Sequence, residues 1–360
     1  MKLLITGADG FIGKNLIAHL RQRKDIEILK YTKNDDFKTL REKLKECDFI
    51  FHLAGVNRPL NEEEFDTGNV DLTRIISQEL ETSDKSIPIV FTSSIQAELD
   101  NPYGRSKLKA ENLLNSLNGP VYIYRLPNVF GKWSKPNYNS AVATFCHNII
   151  NDLPVTIHDP NSIINLVYVD DVIVNFIKLM DKKESQAVEP IYKVTVGELY
   201  ESIKAFKSSR ISLVSEEVGT GFLRALYSTY VSFLKPELFS YPLTKHEDPR
   251  GMFVEFLKTK NSGQFSFFTA KKGVTRGGHY HHSKTEKFLV VKGSALYKFL
   301  NIETKEEYEI SSTGDKPLVV ETVPGWSHNI TNIGEEEMIV MLWANEVFDQ
   351  EKPDTFSHKV

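Results

Sequence analysis

Features that mark several other classes of protein are scarce in this sequence. Its 360 residues include two cysteines, Cys47 and Cys146, which are too few for a disulfide framework and suit a reducing compartment. No apolar run reaches the roughly 20 residues that a membrane-spanning helix needs, and the stretch from Leu3 to Ile5 is too short for a signal peptide. We therefore expect a cytoplasmic protein that has no membrane partner.

The chain also lacks a large excess of charge of either sign. It has 44 lysines and arginines against 48 aspartates and glutamates, which is a formal net charge of -4 at pH 7. Nucleic acids and anionic membranes attract an excess of positive charge, so a small metabolite is the better-matched partner. The length and the 41% content of hydrophobic residues suffice for two globular domains.

What is present begins with a predicted strand, a glycine-rich turn and a predicted helix. The strand runs from Lys2 to Thr6, and the helix from Lys14 to Arg21. Between them, Gly7 permits a tight turn, Gly10 lets a pyrophosphate approach backbone N–H groups, and Gly13 allows close packing of helix and strand. The predicted dinucleotide contacts in this turn are Gly7, Gly10, Phe11, Ile12 and Gly13.

Strands and helices continue to alternate over the first two-thirds of the chain. The predicted strands are Glu27 to Tyr31, Asp48 to Gly55, Ile89 to Ser94, Val121 to Leu126 and Asn165 to Tyr168, and the predicted helices are Ala141 to Asn151, Asp170 to Met180 and Gly197 to Lys207. This alternation is typical of an α/β fold with a Rossmann-type doubly wound parallel sheet, which binds ligands at the carboxyl ends of its strands.

The end of the second predicted strand bears on the choice of cofactor. The segment Lys30-Tyr31-Thr32-Lys33 offers no carboxylate for the 2'-hydroxyl of NAD ribose, and a basic residue such as Lys33 favours NADPH. Asp35 and Asp36 follow slightly later, so NAD stays open as an alternative.

The segment Tyr103-Gly-Arg-Ser-Lys107 predicts a catalytic pair. Residues four apart lie on one face of a helix, where a phenol and an ammonium can act on the same carbonyl. A lysine beside the phenol is expected to lower its pKa, so that Tyr103 passes a proton to a substrate oxygen as a hydride reaches the carbon. Ser94, at a strand end, is placed to hydrogen-bond the same oxygen.

As a set, these motifs resemble the extended short-chain dehydrogenases/reductases (extended SDR) that act on nucleotide sugars. The motifs that carry the resemblance are Gly7-x-x-Gly10-x-x-Gly13, His52-Leu-Ala-Gly55, Asn69, Thr92-Ser-Ser94, Tyr103-x-x-x-Lys107, Arg125-Leu-Pro-Asn128-Val-Phe-Gly131 and Tyr168-Val-Asp-Asp171. The resemblance implies that Ser94, Tyr103 and Lys107 are catalytic. Further cofactor contacts are expected from Lys33, Asp48, Leu53, Ala54, Gly55, Asn69 and Lys107, and nucleotide-sugar contacts from Ser94, Gln96, Asn128, Lys132 and Asn139.

One position departs from that family. Many of its members carry an arginine for the sugar diphosphate a few residues before the Val-Asp-Asp segment, where this chain has Ile163-Ile-Asn165. Another cation must then meet the diphosphate, and Lys132, Lys135 and Arg224 are the alternatives.

The pattern changes after Leu243, where no amphipathic helix is legible. Short apolar and aromatic segments recur as Met252 to Leu257, Gln264 to Ala270, Lys287 to Val291, Ala295 to Leu300 and Met338 to Trp343. They predict an all-β barrel or sandwich. Because Pro236 and Pro242 mark the change, we place a first domain at residues 1–243 and a second at 244–360.

The second domain contains a predicted metal site. His279 and His281 alternate along a strand and so share a face, which Glu286 and His328 can reach from neighbouring strands. Three imidazoles and a carboxylate suit a divalent transition metal. The spacing is that of both cupin motifs, which indicates a cupin barrel, and His282 is expected to face the other way.

The segment Arg276-Gly-Gly-His279 also resembles one in cupin-fold epimerases of nucleotide-linked 4-keto-6-deoxyhexoses, where the histidine is a base. A histidine bound to a metal cannot take a proton from a carbon. If His279 is a ligand, the base lies elsewhere, and Tyr280, Lys287 and Tyr297 are the alternatives. The metal could also be purely structural.

An extended reductase followed by a metal cupin resembles the bifunctional enzymes of capsular-polysaccharide synthesis. The resemblance implies that the cupin, with Zn2+, epimerises carbon 3 of UDP-2-acetamido-2,6-dideoxy-beta-L-arabino-hexos-4-ulose, a UDP-linked 4-keto-6-deoxy amino sugar. The reductase then reduces carbon 4 with NADPH to UDP-N-acetyl-L-talosamine. One ketone serves both steps, because it acidifies the hydrogen at carbon 3 and accepts a hydride at carbon 4. A homodimer is expected by analogy.

Two alternatives stay open at this level. In the first, the reductase half is an epimerase or dehydratase that recycles bound NAD, and the cupin serves only dimerisation. In the second, the cupin binds sugar without catalysis. Consumption of NADPH tests the first alternative, and entry of solvent deuterium at carbon 3 tests the second.

Overall fold

A computed structural model describes residues 1–59, 61–182, 187–244, 246–248, 251–253, 257–259, 263–346 and 351–360. The chain forms two compact units. The first unit consists of Met1–Ala141 and Ile164–Val194, and the second of Val142–Ile163 and Thr195–Val360. The predicted domain division between residues 243 and 244 stays a prediction.

The helices are assigned in chain order as follows. They are α1 Phe11–Leu20, α2 Phe37–Glu46, α3 Glu63–Phe65, α4 Leu72–Glu81, α5 Pro102–Asn115, α6 Ala141–Ile150, α7 Val169–Lys182, α8 Val196–Ser212 and α9 Gly221–Ser232, with a π-helical turn Asp66–Asp71 and 3-10 turns Ile95–Glu98 and Pro236–Leu238. Among the helices of the described ranges, none is long and apolar enough to cross a membrane.

The first unit is built on parallel strands. They are β1 Lys2–Thr6, β2 Glu27–Tyr31, β3 Phe49–His52, β4 Ile89–Ser94, β5 Val121–Leu126, β6 Asn128–Phe130, β7 Ile163–Tyr168 and β8 Ile191–Thr195. Five of them form a parallel sheet in the order β2-β1-β3-β4-β5, and β6-β7-β8 form a smaller one. The chain leaves β1 toward β2 and returns to β3 on the other side, so a ligand crevice opens at the carboxyl ends of β1 and β3.

Helices cover both faces of the five-stranded sheet. Ile50 of β3 joins an apolar core with residues of α2, α4 and α5. Its neighbour Phe51 instead stacks on Phe176 of α7, with ring centroids 5.5 Å apart. Successive side chains of a strand point to opposite faces, so this pair of contacts confirms the predicted doubly wound sheet.

The first helix begins earlier than the sequence predicts. Gly10 is extended and acts as the N-cap, and the N–H of Lys14 already donates to the carbonyl of Gly10 at 2.9 Å. Helix α1 therefore starts at Phe11 rather than at Lys14. Since glycine weakens a helix only modestly, Gly13 lies inside α1 and forms part of its packed face.

The second unit carries the remaining strands. They are β9 Val214–Ser215, β10 Ser240–Pro242, β11 His246–Asp248, β12 Gly251–Phe253, β13 Lys258–Thr259, β14 Gln264–Ala270, β15 Thr275–Tyr280, β16 Glu286–Lys292, β17 Ser294–Asn301, β18 Glu307–Thr313, β19 Leu318–Glu321, β20 Trp326–Asn332, β21 Met338–Ala344 and β22 Phe356–Ser357. Two large antiparallel sheets have five strands each, in the orders β10-β19-β16-β21-β14 and β18-β17-β20-β15-β22, and β9 forms a parallel pair with β13.

Antiparallel sheets confirm the predicted all-β character of this region, and no helix follows residue 243 in the ranges that the structure describes. The cupin barrel stays a prediction. Of the predicted strand Met252 to Leu257, residues 254–256 lie outside the described residues. Both cysteines are buried as free thiols.

Candidate active site and metal centre

A cavity of about 560 Å³ opens in the first unit beside the glycine-rich turn. Its walls come from that turn, from the segment after β3, from the end of β4, from α5 and from the segment after β5. The predicted site residues that line it are Gly7, Gly10, Phe11, Ile12, Gly13, Leu53, Gly55, Ser94, Gln96, Tyr103, Lys107, Asn128 and Asn139.

The glycines of the turn leave room for backbone only. Gly7 has a φ of +66°, and a Cβ there would lie 2.7 Å from the backbone nitrogen of Ala54. A Cβ on Gly13 would lie 2.3 Å from the carbonyl oxygen of Gly7. The turn is thus pressed between β3 and α1, with the amino end of α1 at the cavity, which is an arrangement that fits a dinucleotide pyrophosphate.

Helix α5 brings the predicted catalytic phenol to the end of β4. Asn101 caps the helix, since its side-chain oxygen accepts from the N–H of Gly104 at 2.8 Å. A Cβ on Gly104 would lie 2.1 Å from the carbonyl oxygen of Gln96, so only glycine lets α5 pack this closely on the turn after β4. As a result, the hydroxyl of Ser94 lies near the phenol of Tyr103 and influences its pKa.

Burial raises the pKa of the Tyr103 phenol above its usual value, and nearby Ser94 acts in the opposite direction. The sequence prediction of a lowered pKa is therefore wrong in this structure, because enclosure outweighs the neighbouring groups. A phenol with a raised pKa is protonated at neutral pH, so it keeps the proton that a donor needs.

Lys107 lies one helical turn further along α5 and is 4% exposed. Its Nζ donates to the carbonyl oxygen of Thr92 at 3.0 Å and lies 4.9 Å from the centroid of the Phe91 ring. Burial lowers the pKa of Lys107 to about 8, and Glu111 partly opposes that shift. Its surroundings therefore disfavour the charged form of the side chain.

The cavity lining lacks four of the predicted cofactor residues, which are Lys33, Asp48, Ala54 and Asn69. Asp48 precedes β3, and its Oδ2 accepts from the N–H of Lys2 at 2.7 Å, at the amino end of β1. The glycine turn leaves the carboxyl end of β1, so the assignment of Asp48 to the cofactor is corrected. Lys33 is exposed, and nearby Asp35 accepts from the N–H and the hydroxyl of Thr32 at 2.7 and 2.8 Å.

Asn69 and Lys132, which is a predicted substrate contact, both form hydrogen bonds within the protein. Asn69 binds the backbone of Val56, accepting from its N–H at 2.9 Å and donating to its carbonyl at 3.1 Å. Lys132 is buried and donates to Asp170 Oδ1 at 2.7 Å, so its predicted contact with the sugar diphosphate is corrected. Lys135 lines the cavity instead. The third alternative, Arg224, belongs to the second unit, where it bonds to Ser283.

The predicted metal ligands meet in the second unit. His279 on β15 is paired in register with His328 on β20, His281 follows β15, and Glu286 begins β16. One ligand atom from each of these four residues lies within 4.8 Å of the others. The centroids of the three imidazole rings are 4.8 to 5.1 Å apart.

The carboxy-terminal segment fixes the orientation of His281. Its Nδ1 donates to the carbonyl oxygen of Asp354 at 2.5 Å, so Nε2 faces the cluster and contacts Glu286 Oε2 at 3.0 Å. The carboxylate of Asp354 in turn accepts from the N–H groups of three successive residues, at 2.7 to 2.8 Å; these are His282, Ser283 and Lys284. Sequence reasoning missed Asp354, because it lies 73 residues from His281.

The donor set fits a cation. Nε2 of His328 is buried, has no hydrogen-bond partner among the described residues, and lies 3.6 Å from Glu286 Oε2. Burial lowers the pKa of His279 to about 3, so its imidazole is neutral. Burial acts to raise the pKa of Glu286, but His281 and His328 hold it well below its usual range. Neutral imidazoles and an ionised carboxylate are the forms that bind a metal.

The three candidates for the base at carbon 3 have different environments in the structure. Tyr280 packs on Phe356 with ring centroids 5.6 Å apart, and Lys287 forms a buried ion pair with Glu321 at 2.7 Å. Tyr297 lines a cavity of about 210 Å³ beside the histidine cluster. His282 packs against aromatic rings away from the cluster, as predicted.

Two family models match parts of the chain. The NAD dependent epimerase/dehydratase family matches residues 3–195, and the polysaccharide biosynthesis C-terminal domain matches residues 246–356. The UDP-2-acetamido-2,6-beta-L-arabino-hexul-4-ose reductase of Pseudomonas aeruginosa is 58% identical over 368 residues, which cover 100% of this chain and 99% of that protein.

Solved structures agree with these matches. The capsular polysaccharide assembling protein CapF from Staphylococcus aureus is 41% identical with a TM-score of 0.68, and 100% of both chains is covered. A UDP-glucuronic acid 4-epimerase from Bacillus cereus, in complex with UDP-glucuronic acid and NAD, has a TM-score of 0.52 at 18% identity over 58% of this chain and 83% of that one, which shows a shared fold. With one family model covering more than half of its residues, the chain belongs to the NAD dependent epimerase/dehydratase family.

Proposed function

We propose that this chain is a bifunctional UDP-sugar enzyme of capsular-polysaccharide synthesis, with an epimerase in residues 244–360 and a reductase in residues 1–243. The name of the Pseudomonas relative, a UDP-linked hexul-4-ose reductase, supports a 4-keto sugar as the substrate. The observation that carries the reductase assignment is that Ser94, Tyr103 and Lys107 share one cavity with the glycine-rich turn.

In the proposed reduction, the protein supplies the proton and holds the oxygen. Tyr103 donates its O–H to the carbonyl oxygen at carbon 4, and the proton moves to that oxygen as the carbon is reduced. The hydroxyl of Ser94 binds the same oxygen. Lys107, anchored on the carbonyl of Thr92, keeps a positive charge near the phenolate that forms. When bound, NADPH supplies the hydride.

The choice of NADPH over NAD rests on the two nearest carboxylates, both of which already accept hydrogen bonds from the protein. Asp35 accepts two hydrogen bonds from Thr32, and Asp36 caps α2 by accepting from the N–H of Thr39 at 2.8 Å. Both side chains are therefore engaged in their own loop rather than presented to a ribose hydroxyl. A 2'-phosphate would meet Lys33, whose side chain is exposed.

In the second unit, His279, His281, Glu286 and His328 would hold Zn2+. When bound, zinc supplies positive charge beside a developing enolate oxygen and brings no redox chemistry, which suits an epimerase. The convergence of His279 with the other three donors supports its role as a ligand, so the base for carbon 3 is a different group. The proposed product after reduction is UDP-N-acetyl-L-talosamine, and a homodimer remains a prediction.

Product analysis tests this function. The purified chain is incubated with the UDP-linked 4-keto-6-deoxy amino sugar, with and without NADPH, and the sugars are identified by NMR. We expect inversion at carbon 3 in both samples, and reduction at carbon 4 with one NADPH oxidised per sugar only when the cofactor is added. Turnover without net NADPH oxidation would instead support an NAD-recycling epimerase or dehydratase.

A further inference from the structure

The small cavity of the second unit shares its wall with the proposed metal ligands. His279, Glu286 and His328 line it together with Tyr297 and several apolar side chains, and its other polar lining residues are Arg276, Thr322 and Asn329. At about 210 Å³ it is smaller than the roughly 300 to 1,000 Å³ of sites that enclose drug-sized ligands. Its size matches a single sugar ring, so the nucleotide of a UDP-sugar would remain outside.

Tyr297 presents an unsatisfied hydroxyl at this cavity. The side chain is 2% exposed, and its OH has no hydrogen-bond partner among the described residues. Buried hydroxyls are normally bonded, since leaving one unpaired costs stability. An unpaired donor in the wall of a cavity is therefore evidence of a ligand that accepts a hydrogen bond there.

The strand geometry places this hydroxyl on the same side as the histidine cluster. Along β17 every second residue is buried, so Tyr297 and Phe299 share a face, and Phe299 is paired in register with His328. Residues two apart on a strand are separated by about 7 Å. The ring of Phe288 is near both Tyr297 and His328, with its centroid 6.1 Å from that of Tyr297 and 6.4 Å from that of His328.

We propose that Tyr297 donates a hydrogen bond to the ketone oxygen of a sugar ring in this cavity and stabilises the enolate formed at carbons 3 and 4. This inference rests on the proposed epimerase function of the second unit. A base other than Tyr297 takes the carbon 3 hydrogen as a proton, the electrons of the broken C–H bond form the double bond to carbon 4, and the carbonyl electron pair moves to the oxygen, which gains the negative charge. A proton delivered to the opposite face of carbon 3 then restores the ketone with inverted configuration. Tyr297 keeps its own proton throughout.

The surroundings of Tyr297 suit a donor and not a base. Burial raises the pKa of its phenol, which keeps the group protonated at neutral pH. In a cavity shielded from bulk water, a hydrogen bond aimed at developing negative charge is stronger than it is in water. Because the hydroxyl is already unpaired, no existing bond has to break before the substrate oxygen arrives.

Solvent exchange at carbon 3 measures enolate formation and tests this role. The metal-loaded full chain is incubated in deuterium oxide with the UDP-linked 4-keto-6-deoxy amino sugar and no NADPH. For Tyr297→Phe we expect deuterium to enter about 10² to 10³ times more slowly, as for other lost oxyanion donors. Metal content should stay as in the unchanged protein. The matched control is Tyr308→Phe on β18, outside the cavity wall, which should exchange at the normal rate.

Each other result contradicts a particular step. Exchange in Tyr297→Phe at the normal rate would overturn the inference and leave the epimerase proposal standing. Normal exchange without inversion would put Tyr297 at carbon 3 and overturn its assignment to the oxygen. No exchange in the unchanged protein would refute the epimerase itself. If Tyr297→Phe fails to hold metal, 3-fluorotyrosine at position 297 replaces it; a more acidic O–H should speed exchange, and an unchanged rate would overturn the inference.

Discussion

The two candidate sites hold charge away from water in opposite ways. The cleft of the first unit buries a cation, Lys107, whose pKa falls to about 8 because burial disfavours the ammonium. The centre of the second unit buries a carboxylate, Glu286, whose pKa lies well below its usual range, near the neutral imidazole of His279. The first site therefore brings its own positive charge to an oxygen that becomes negative. The second site has four candidate metal-ligating side chains and needs a bound cation to balance its carboxylate.

The sites also differ in how the chain builds them. Ser94, Tyr103 and Lys107 lie within one short stretch, where a strand end and the next helix are in contact. The four metal-binding candidates come from β15, β16, β20 and the segment after β15, and the carboxy-terminal segment holds one of them in place. Changes in one site should therefore leave the chemistry of the other unaltered, and the following predictions test that independence.

The largest effect is expected from Tyr103→Phe. Loss of the proton donor should slow NADPH oxidation by about 10² to 10⁴-fold, because the alkoxide at carbon 4 must then find a proton elsewhere. Deuterium exchange at carbon 3 should continue at its normal rate. Loss of both activities would contradict the division of labour between the two sites.

His328→Ala should have the next largest effect, and on the second unit alone. Removing one of four donors should weaken metal binding by at least about 100-fold and lower the thermal stability of that unit, since metal binding and folding are coupled. The exposed His158 provides a control as His158→Ala. Metal content by elemental analysis checks the result, and an unchanged stoichiometry would refute the ligand set.

Lys107→Met should stabilise the first unit while abolishing reduction. The folded pKa of about 8 lies below the unfolded value of 10.5, so burying the ammonium is unfavourable below pH 8 and this penalty fades as the pH rises toward 10.5. We expect a gain of about 3 kcal/mol in unfolding free energy at pH 7 that is largely lost at pH 10. Urea denaturation at both pH values measures it.

The control for that experiment is Lys109→Met on the same helix. Lys109 is exposed and pairs with Asp66 at 3.0 Å, so its replacement should change stability little at either pH. A gain for Lys107→Met that is equal at pH 7 and pH 10 would indicate improved packing rather than relief of a buried charge.

The smallest effect is expected from Asp354→Ala, which removes the carboxylate that binds three backbone N–H groups beside His281. Loosening that turn should weaken metal affinity by about 10 to 100-fold, as second-shell changes do. Asp354→Asn retains one acceptor oxygen and should fall in between. Competition with a chelator of known affinity gives the values, and an affinity equal to that of the unchanged protein would show that the tail is not needed to orient His281.

Local patterns predicted the parts of the structure that depend on neighbours in sequence. The bounds of β1, β2, β4 and β5 follow from short apolar runs, and His279 and His281 reach one cluster as predicted, although His281 lies just after β15. Where the assignment depended on distant partners, it failed. Asp48 was given to the cofactor although it lies before β3 and bonds to Lys2.

The sequence predicts that Lys132 contacts the diphosphate. In the structure its ammonium instead pairs with Asp170, which lies 38 residues away in the sequence. The support from Asp354 is further still along the chain. The pKa of Tyr103 was predicted from its neighbour Lys107, whereas the degree of enclosure, which a sequence does not display, decides its direction. Long-range pairing and burial are thus the two quantities that the amino-acid pattern leaves undetermined.

The contact at Gly104 has a consequence for anyone who surveys this chain by mutation. Any side chain there would collide with the carbonyl of Gln96 and tilt α5 away from β4, which parts the phenol from its serine partner. In a saturation screen for reductase activity, position 104 would therefore score as intolerant as a reacting group. A residue with no functional group at all would look like part of the chemistry.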